Sequence, residues 1–224
     1  MQILWLLIMI VALVPIKDLN RAKSRLKEIE KSIRIEIVKA MLRDVIHVYA
    51  CSRYVDKTIL VTPDPSIRET VRDFTIDIVY DGGNGQIEAY LKALETIPYK
   101  IDAVIFGVAD APFVSSEDVN TIVGFYRDGF DIVLTPSIDG GTNIMLQRYP
   151  LMIELMHGKN SFQKHLARAL QKTIRVNVYS TLGTSIDIDT AEDLIIAKQL
   201  CSIYGGKELC RILSLYGTSL IRHK

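Results

Sequence analysis

Cysteine, tryptophan and any excess of one charge are all scarce in this chain of 224 residues. Cys51, Cys201 and Cys210 are odd in number and fit neither a zinc nor a redox spacing. They predict reduced, structural thiols in a cytoplasmic protein. Lys and Arg total 27 against 26 for Asp and Glu, a net charge of +1, which gives no basis for non-specific binding to nucleic acid. No apolar run reaches the roughly 20 residues of a spanning helix. Met1 to Ile16 carries no charge and only Gln2 as a polar residue, but it is shorter than that. It also lacks the basic start and small-residue cleavage site of a signal peptide. Its second half reads as a buried strand from near Ile8. Residues 1–8 are then a short apolar extension, with Met9 as a natural start, and membrane contact is the competing reading. With no repeat, linker or low-complexity stretch, the expectation is one domain over 1–224, closed by a helical extension from 205.

Hydrophobic residues make up 49% and charged residues 24%, an ordinary balance for a globular protein of this length. Strand-like runs alternate with helical periodicity. Ile8–Val14, Lys57–Thr62, Ile76–Tyr80, Ile101–Val108, Asp131–Thr135, Ile144–Leu146 and Ile174–Tyr179 read as strands. Ser32–Ala50, Ile87–Ile97, a segment capped at Ser115 or Ser116, Phe162–Gln171, Ala191–Ile203 and Glu208–Leu215 read as helices. In the first helix, Lys39, Arg43 and Asp44 fall off the apolar face. This order implies an α/β fold with a largely parallel central sheet and helices on both faces. Ligands in such sheets lie outside the carboxyl ends of the strands. Attention therefore goes to the loops 15–26, 81–86, 109–113, 139–143 and 185–190.

The first of these is the most informative. Between Lys17 and Lys27 stand five basic residues and one acid, in a loop that follows a strand and opens onto a helix. Cations in the first turn of a helix oppose its dipole, by about 0.3–1 kcal/mol each. Lys23, Ser24 and Arg25 make sense there if an anion occupies the site. The loop has no glycine, which excludes both the Walker A and the dinucleotide fingerprints. The plain alternative is a solvated basic helix start. Asp110 ends the most apolar strand, while Asp187 and Asp189, one residue apart in an extended segment, can face the same side. Each has a structural alternative, in a turn or at a helix cap. Together, opposite a phosphate loop, the three suit Mg²⁺. Asp139-Gly-Gly-Thr-Asn143 and Gly158-Lys-Asn-Ser161 let backbone N–H groups converge on a second anion. Ser161 either caps the following helix or binds a ligand. His165 reads as packed more readily than as catalytic.

Pro15-Ile-Lys17 with Arg21-Ala-Lys-Ser-Arg-Leu26, Asp110-Ala-Pro112, Asp139-Gly-Gly-Thr-Asn143, Gly158-Lys-Asn-Ser-Phe162 with His165, and Asp187-Ile-Asp-Thr190 with Glu192-Asp-Leu194 occur in one order. In that order they resemble the 2-phospho-L-lactate guanylyltransferases of coenzyme F(420) biosynthesis, from about Ile10 to Ala197. The resemblance implies a Rossmann-like, GT-A-like nucleotidyltransferase fold and a homodimer. It implies that the basic loop (Pro15, Lys17, Arg21, Lys23, Ser24, Arg25) holds GTP. Asp110, Asp187 and Asp189 would hold Mg²⁺, and Gly141, Thr142, Asn143, Gly158 and Ser161 would hold a small phosphorylated carboxylic acid. Lys17, Lys23, Arg25 and Asp110 would carry catalysis. The family shows a G-L-N-x-A-like segment where this chain has Gly83-Asn-Gly-Gln86. Either Asn84 takes the nucleobase side or the register shifts by a few residues. Rival expectations are the same transfer to phosphoenolpyruvate or 3-phosphoglycerate, a regulator that binds nucleotide without turnover, and a membrane-tethered interaction protein.

Overall fold

The computed structural model describes residues 9–216; the apolar segment 1–8 and the last eight residues lie outside the described part. Its elements are β1 (Ile10–Pro15), α1 (Lys31–Cys51), β2 (Lys57–Thr62), α2 (Ile67–Thr70), β3 (Asp77–Tyr80), α3 (Gln86–Thr96), β4 (Ala103–Gly107) and α4 (Ser116–Arg127). There follow β5 (Ile132–Pro136), β6 (Thr142–Arg148), α5 (Ser161–Gln171), β7 (Val176–Val178), α6 (Leu182–Ser185), α7 (Ala191–Leu200) and α8 (Glu208–Tyr216). The sheet order is β3-β2-β1-β4-β6-β5-β7. All pairings are parallel except those of β6, which runs against β4 and β5.

The side-chain alternation of β1 shows why both faces must be covered. Ile10, Ala12 and Val14 enter one core with residues of α1, α4, α7 and α8, while Val11 and Leu13 enter another with α3 and α5. All five are fully buried. Burying a side chain of that size contributes about 1.5–3 kcal/mol, so a strand with no polar face is held only between two layers. Among the described residues, no helix is long and apolar enough to cross a membrane.

Four expectations need correction. The basic loop does not open directly onto a helix: residues 19–25 and 27–28 form turns, and α1 begins only at Lys31. Lys23 itself is left-handed, at φ 51°, which no α-helix accommodates. Leu19, Ala22, Leu26 and Ile29 are buried and pin the loop to the core instead. The helix-dipole argument for Lys23, Ser24 and Arg25 therefore does not apply. Asp44 does not point away from the core. It is 6% exposed and accepts the backbone N–H groups of Glu208 (2.8 Å) and Leu209 (2.9 Å), capping α8 from α1.

The thiols of Cys201 and Cys210 are joined in a disulfide, because the Gly205-Gly206 turn sends α8 back and sets their Cα atoms 5.4 Å apart. Cys51 stays free and exposed. With two of the three thiols bonded, reduced cysteines no longer place the protein in the cytoplasm. Finally, the last helix but one stops at Leu200 rather than Ile203, and the short helices α2 and α6, too brief to show a period, were not anticipated.

Candidate active site

β1 and β4 end at one edge of the sheet, and β6, running the other way, begins there. A cleft of about 600 Å³ opens along that edge. Pro15, Lys17, Arg21, Lys23, Ser24 and Arg25 line it, as do Gly83, Gly85 and Gln86. Asp110, Asp187 and Asp189 line it too, together with Gly141, Thr142, Asn143, Gly158 and Ser161. Segments separated by up to 174 positions in sequence thus share one hollow.

The backbone explains the acidic grouping. Ile188 is buried and its N–H donates to the carbonyl of Asp110 at 2.9 Å, so the carboxylates on either side of it are carried to the end of β4. Thr190 caps α7 reciprocally with Asp193, which leaves the side chain of Asp189 uncommitted to capping. It is taken by Lys23, whose Nζ lies 2.5 Å from both Asp110 Oδ2 and Asp189 Oδ1. Arg25 Nη1 reaches Asp189 Oδ2 at 3.4 Å. The left-handed backbone of Lys23, which a non-glycine residue adopts at a cost of roughly 1 kcal/mol or more, sits in the loop that puts this ammonium between two acids.

Burial lowers the pKa of Lys23, but Asp110 and Asp189 outweigh it and the amine is held above its ordinary value. Burial likewise pushes Asp189 up, and Lys23, Arg25 and Lys17 reverse that, holding it below the usual carboxylate range. Asp187 has no such partner. Burial, then Asp110, Asp139 and Asp189, raise it to about 7, with Lys23 offsetting only part. A carboxyl with a raised folded value contributes stability that is fully present below its ordinary value of 3.8 and is lost as pH rises through about 7. We expect the unfolding free energy of the wild type, measured relative to Asp187→Asn in metal-free buffer, to decline across that window by a few kcal/mol, on the order of the 1.4 kcal/mol per pKa unit of linkage. A flat difference curve would show that Asp187 is compensated.

Among the described residues, no three acidic, histidine or cysteine side chains are gathered closely enough to hold an ion by themselves. The expected trio is brought to one cleft, but the Lys23 ammonium stands between two of its members.

Before β6, Asp139 accepts the hydroxyl of Ser137 and the N–H of Gly141 (3.0 Å), folding the turn that starts the strand. Gly140, at φ +85°, and Gly158, at φ +123°, take backbone conformations that side chains resist. Ser161 is not the cap of α5. Asn160 holds that position, and the Ser161 hydroxyl donates to Thr142 Oγ1 at 3.2 Å. Asn143 lines the cleft, with its amide nitrogen donating to the carbonyl of Thr184 at 3.1 Å.

Asn84 is the one expected site residue outside this cleft. It lines an adjoining hollow with Gly82, Glu88 and Asp81, the last of which also lines the cleft. Positive φ at Gly83 and Gly85 turns the chain on both sides of it, leaving the amide of Asn84 folded back over Gly82. Gln86, by contrast, lines the cleft and donates to the Tyr90 hydroxyl at 3.0 Å. Sequence reasoning also passed over Asp139 as a charge and His157 altogether. The His157 ring lines the cleft against Tyr90, Phe106 and His165. Both its nitrogens are buried without a hydrogen-bond partner, and burial, then His165, lower its pKa to about 3. A lone histidine before Gly158 carries no local signal that would have singled it out.

Residues 10–199 match the model of a family described as guanylyl transferase CofC like. The chain belongs to this family. Among its relatives, 2-phospho-L-lactate guanylyltransferase of Methanothermobacter thermautotrophicus is 30% identical, over 82% of this chain and 81% of that protein. Phosphoenolpyruvate guanylyltransferase of Sphaerobacter thermophilus is also 30% identical, over 82% and 90%. Solved structures show the same fold. A Desulfovibrio desulfuricans G20 protein grouped with the nucleotide-diphospho-sugar transferases superposes at a TM-score of 0.75, with 15% identity and 94% and 96% of the two chains covered. For 4-diphosphocytidyl-2C-methyl-D-erythritol synthase of Anaerococcus prevotii the TM-score is 0.60, with 16% identity and 88% and 97% covered. The expected nucleotidyltransferase fold is thus the observed one, and membership of the guanylyl transferase family makes the chain a nucleotidyltransferase.

Proposed function

We propose that this member of the guanylyl transferase family joins GTP to 2-phospho-L-lactate. Pyrophosphate is released, and the product is lactyl-2-diphospho-5'-guanosine for coenzyme F(420) biosynthesis. The observation that carries the reading is that one cleft gathers a cationic loop, three carboxylates and a hydroxyl- and glycine-rich group. A triphosphate suits the first and a small carboxylate the last. Phosphoenolpyruvate is the second acceptor to test, because a relative of equal identity is a phosphoenolpyruvate guanylyltransferase; 3-phosphoglycerate is the third.

A phosphate oxygen of the acceptor attacks the α-phosphorus of GTP, and the bond to pyrophosphate breaks in line. A phosphate monoester loses its second proton near pH 6, so the nucleophile is already anionic at neutral pH and no general base is required. The barrier is chiefly the repulsion between anions. Lys17, Lys23 and Arg25 offset it on the nucleotide side by position and charge. Asp110, Asp187 and Asp189 are hard oxygen donors of the kind Mg²⁺ uses alongside phosphate oxygens and water. The uncompensated charge around Asp187 is the feature that favours a cation there. When bound, Mg²⁺ would supply further neutralisation of phosphate charge.

Pyrophosphate release on mixing with GTP, Mg²⁺ and each acid in turn tests the reading. Release with none of them would defeat it, and release with a different acid would move the substrate. Ser161→Ala should raise the KM for the acid by about tenfold, the worth of one hydrogen bond to a charged group, with the KM for GTP unmoved. An unchanged acid KM would remove Ser161 from the acceptor site.

A further inference from the structure

We infer that His165 is a positioning residue that makes the Thr142–Ser161 hydroxyl pair present a proton, rather than a lone pair, to the carboxylate of the acceptor. The inference deepens the guanylyl-transfer reading and rests on it for the identity of that anion.

Three hydrogen bonds carry the argument. The backbone N–H of Met156 donates to His165 Nε2 at 2.8 Å. An amide N–H can only donate, so Nε2 must offer a lone pair, and the single proton of the neutral ring sits on Nδ1. His165 Nδ1 lies 3.1 Å from Thr142 Oγ1, so the ring donates and Thr142 receives. Ser161 Oγ lies 3.2 Å from the same Thr142 oxygen.

The two hydroxyls own two protons. Their mutual bond uses one. Thr142 cannot give the other to a ring nitrogen that already carries a proton, so one O–H is left over. Both hydroxyl residues line the cleft, and that is where the spare donor is available.

The opposite tautomer has the opposite consequence. With Nδ1 bare, Thr142 would donate to the ring and Ser161 to Thr142. Both protons would be consumed, and the cleft would meet an incoming carboxylate with lone pairs only. A doubly protonated ring is also disfavoured, because a proton on Nε2 would point at the Met156 N–H. Burial, then Lys164, hold the pKa of His165 down at about 4, so the ring is neutral where the enzyme works. The histidine is fully buried and is not among the residues lining the cleft. It acts only through Thr142.

The test has two arms. In ¹⁵N spectra of imidazole-labelled wild-type protein, His165 should show a protonated Nδ1 and a bare Nε2; a proton on Nε2, or on both nitrogens, overturns the inference. In kinetics, His165→Asn keeps an N–H donor near the Nδ1 position, whereas His165→Gln keeps an acceptor for Met156 near Nε2 and loses the donor to Thr142. With 2-phospho-L-lactate as the probe, H165N should hold the acceptor KM near that of wild type. H165Q should raise it at least about tenfold, as for a lost hydrogen bond to a charged group, with the KM for GTP unchanged. An equal rise in both variants would mean that the ring only fills space, and no rise in H165Q would mean that it does not act on Thr142; either result overturns the inference. Wild-type protein that turns over no acid defeats the functional reading alone, and the ¹⁵N arm then decides the role of His165 by itself.

Discussion

Asp110→Asn is expected to lower kcat by about 10²–10³-fold, the size of effect seen when one preorganised electrostatic group is lost from a reacting centre, while GTP still binds. The carboxylate stands at the end of β4, is tied through its own backbone carbonyl to Ile188, and faces Lys23 Nζ at 2.5 Å. An amide keeps the size and the backbone tie but surrenders the charge that places the ammonium and completes the group of three acids in the cleft. On the proposed reading, Lys17, Arg21 and Arg25 remain to hold the triphosphate. Pyrophosphate release at saturating substrates and a separate titration of GTP binding distinguish the two effects. Wild-type turnover in the variant, at limiting Mg²⁺, would take Asp110 out of the mechanism.

Gly107→Ala should be the most damaging single methyl group in the sheet. A Cβ at Gly107 would lie 2.2 Å from the hydroxyl oxygen of Tyr49 and 2.7 Å from Cζ of the same ring. Tyr49 is buried on α1 and cannot swing into solvent. The carbonyl of Gly107 also accepts the Tyr90 hydroxyl at 2.8 Å, so the strand end is held from both faces. Overpacking of this kind typically costs about 1–3 kcal/mol, and the clash here lies with a ring that has nowhere to go. Urea unfolding should show the loss as a lowered midpoint with an unchanged slope. Tyr49→Phe in the same chain removes the nearest atom and should restore part of it. An unaltered midpoint in Gly107→Ala would show that the helix and strand can separate at no cost. Because Asp110 follows three residues later, turnover should fall along with stability.

The fold was largely readable because its strongest signals are local. The unbroken apolar run of β1 requires two covering layers, and capping boxes at Ser115 and Thr190 announce α4 and α7 from four residues each. The site was readable where a motif carries its own chemistry: a cationic loop, a carboxylate after an apolar strand, paired glycines before Thr142. What escaped depends on distant partners. Asp44 reads as a surface acid until α8 arrives to be capped by it. Cys201 and Cys210 make no recognisable spacing until Gly206, at φ +84°, reverses the chain between them. The left-handed Lys23 replaces a helix start by turns, because the loop is shaped by its buried apolar residues and by two acids far along the sequence. Asn84 lies outside the cleft for a local reason: flanking glycines free the backbone to aim a side chain either way, and composition does not say which.

The reversal of β6 has a consequence for how the protein can change. The basic loop and Asp110 follow strands that run toward the edge, whereas Thr142 opens a strand that leaves it. Residues from Ser137 to Ser161, β6 among them, form one continuous stretch from β5 to α5 that holds Gly141, Thr142, Asn143, Gly158 and Ser161 and none of the basic loop. On the proposed reading, grafting that stretch from a relative with another preferred acid is expected to change the acid used and to leave the KM for GTP unaltered.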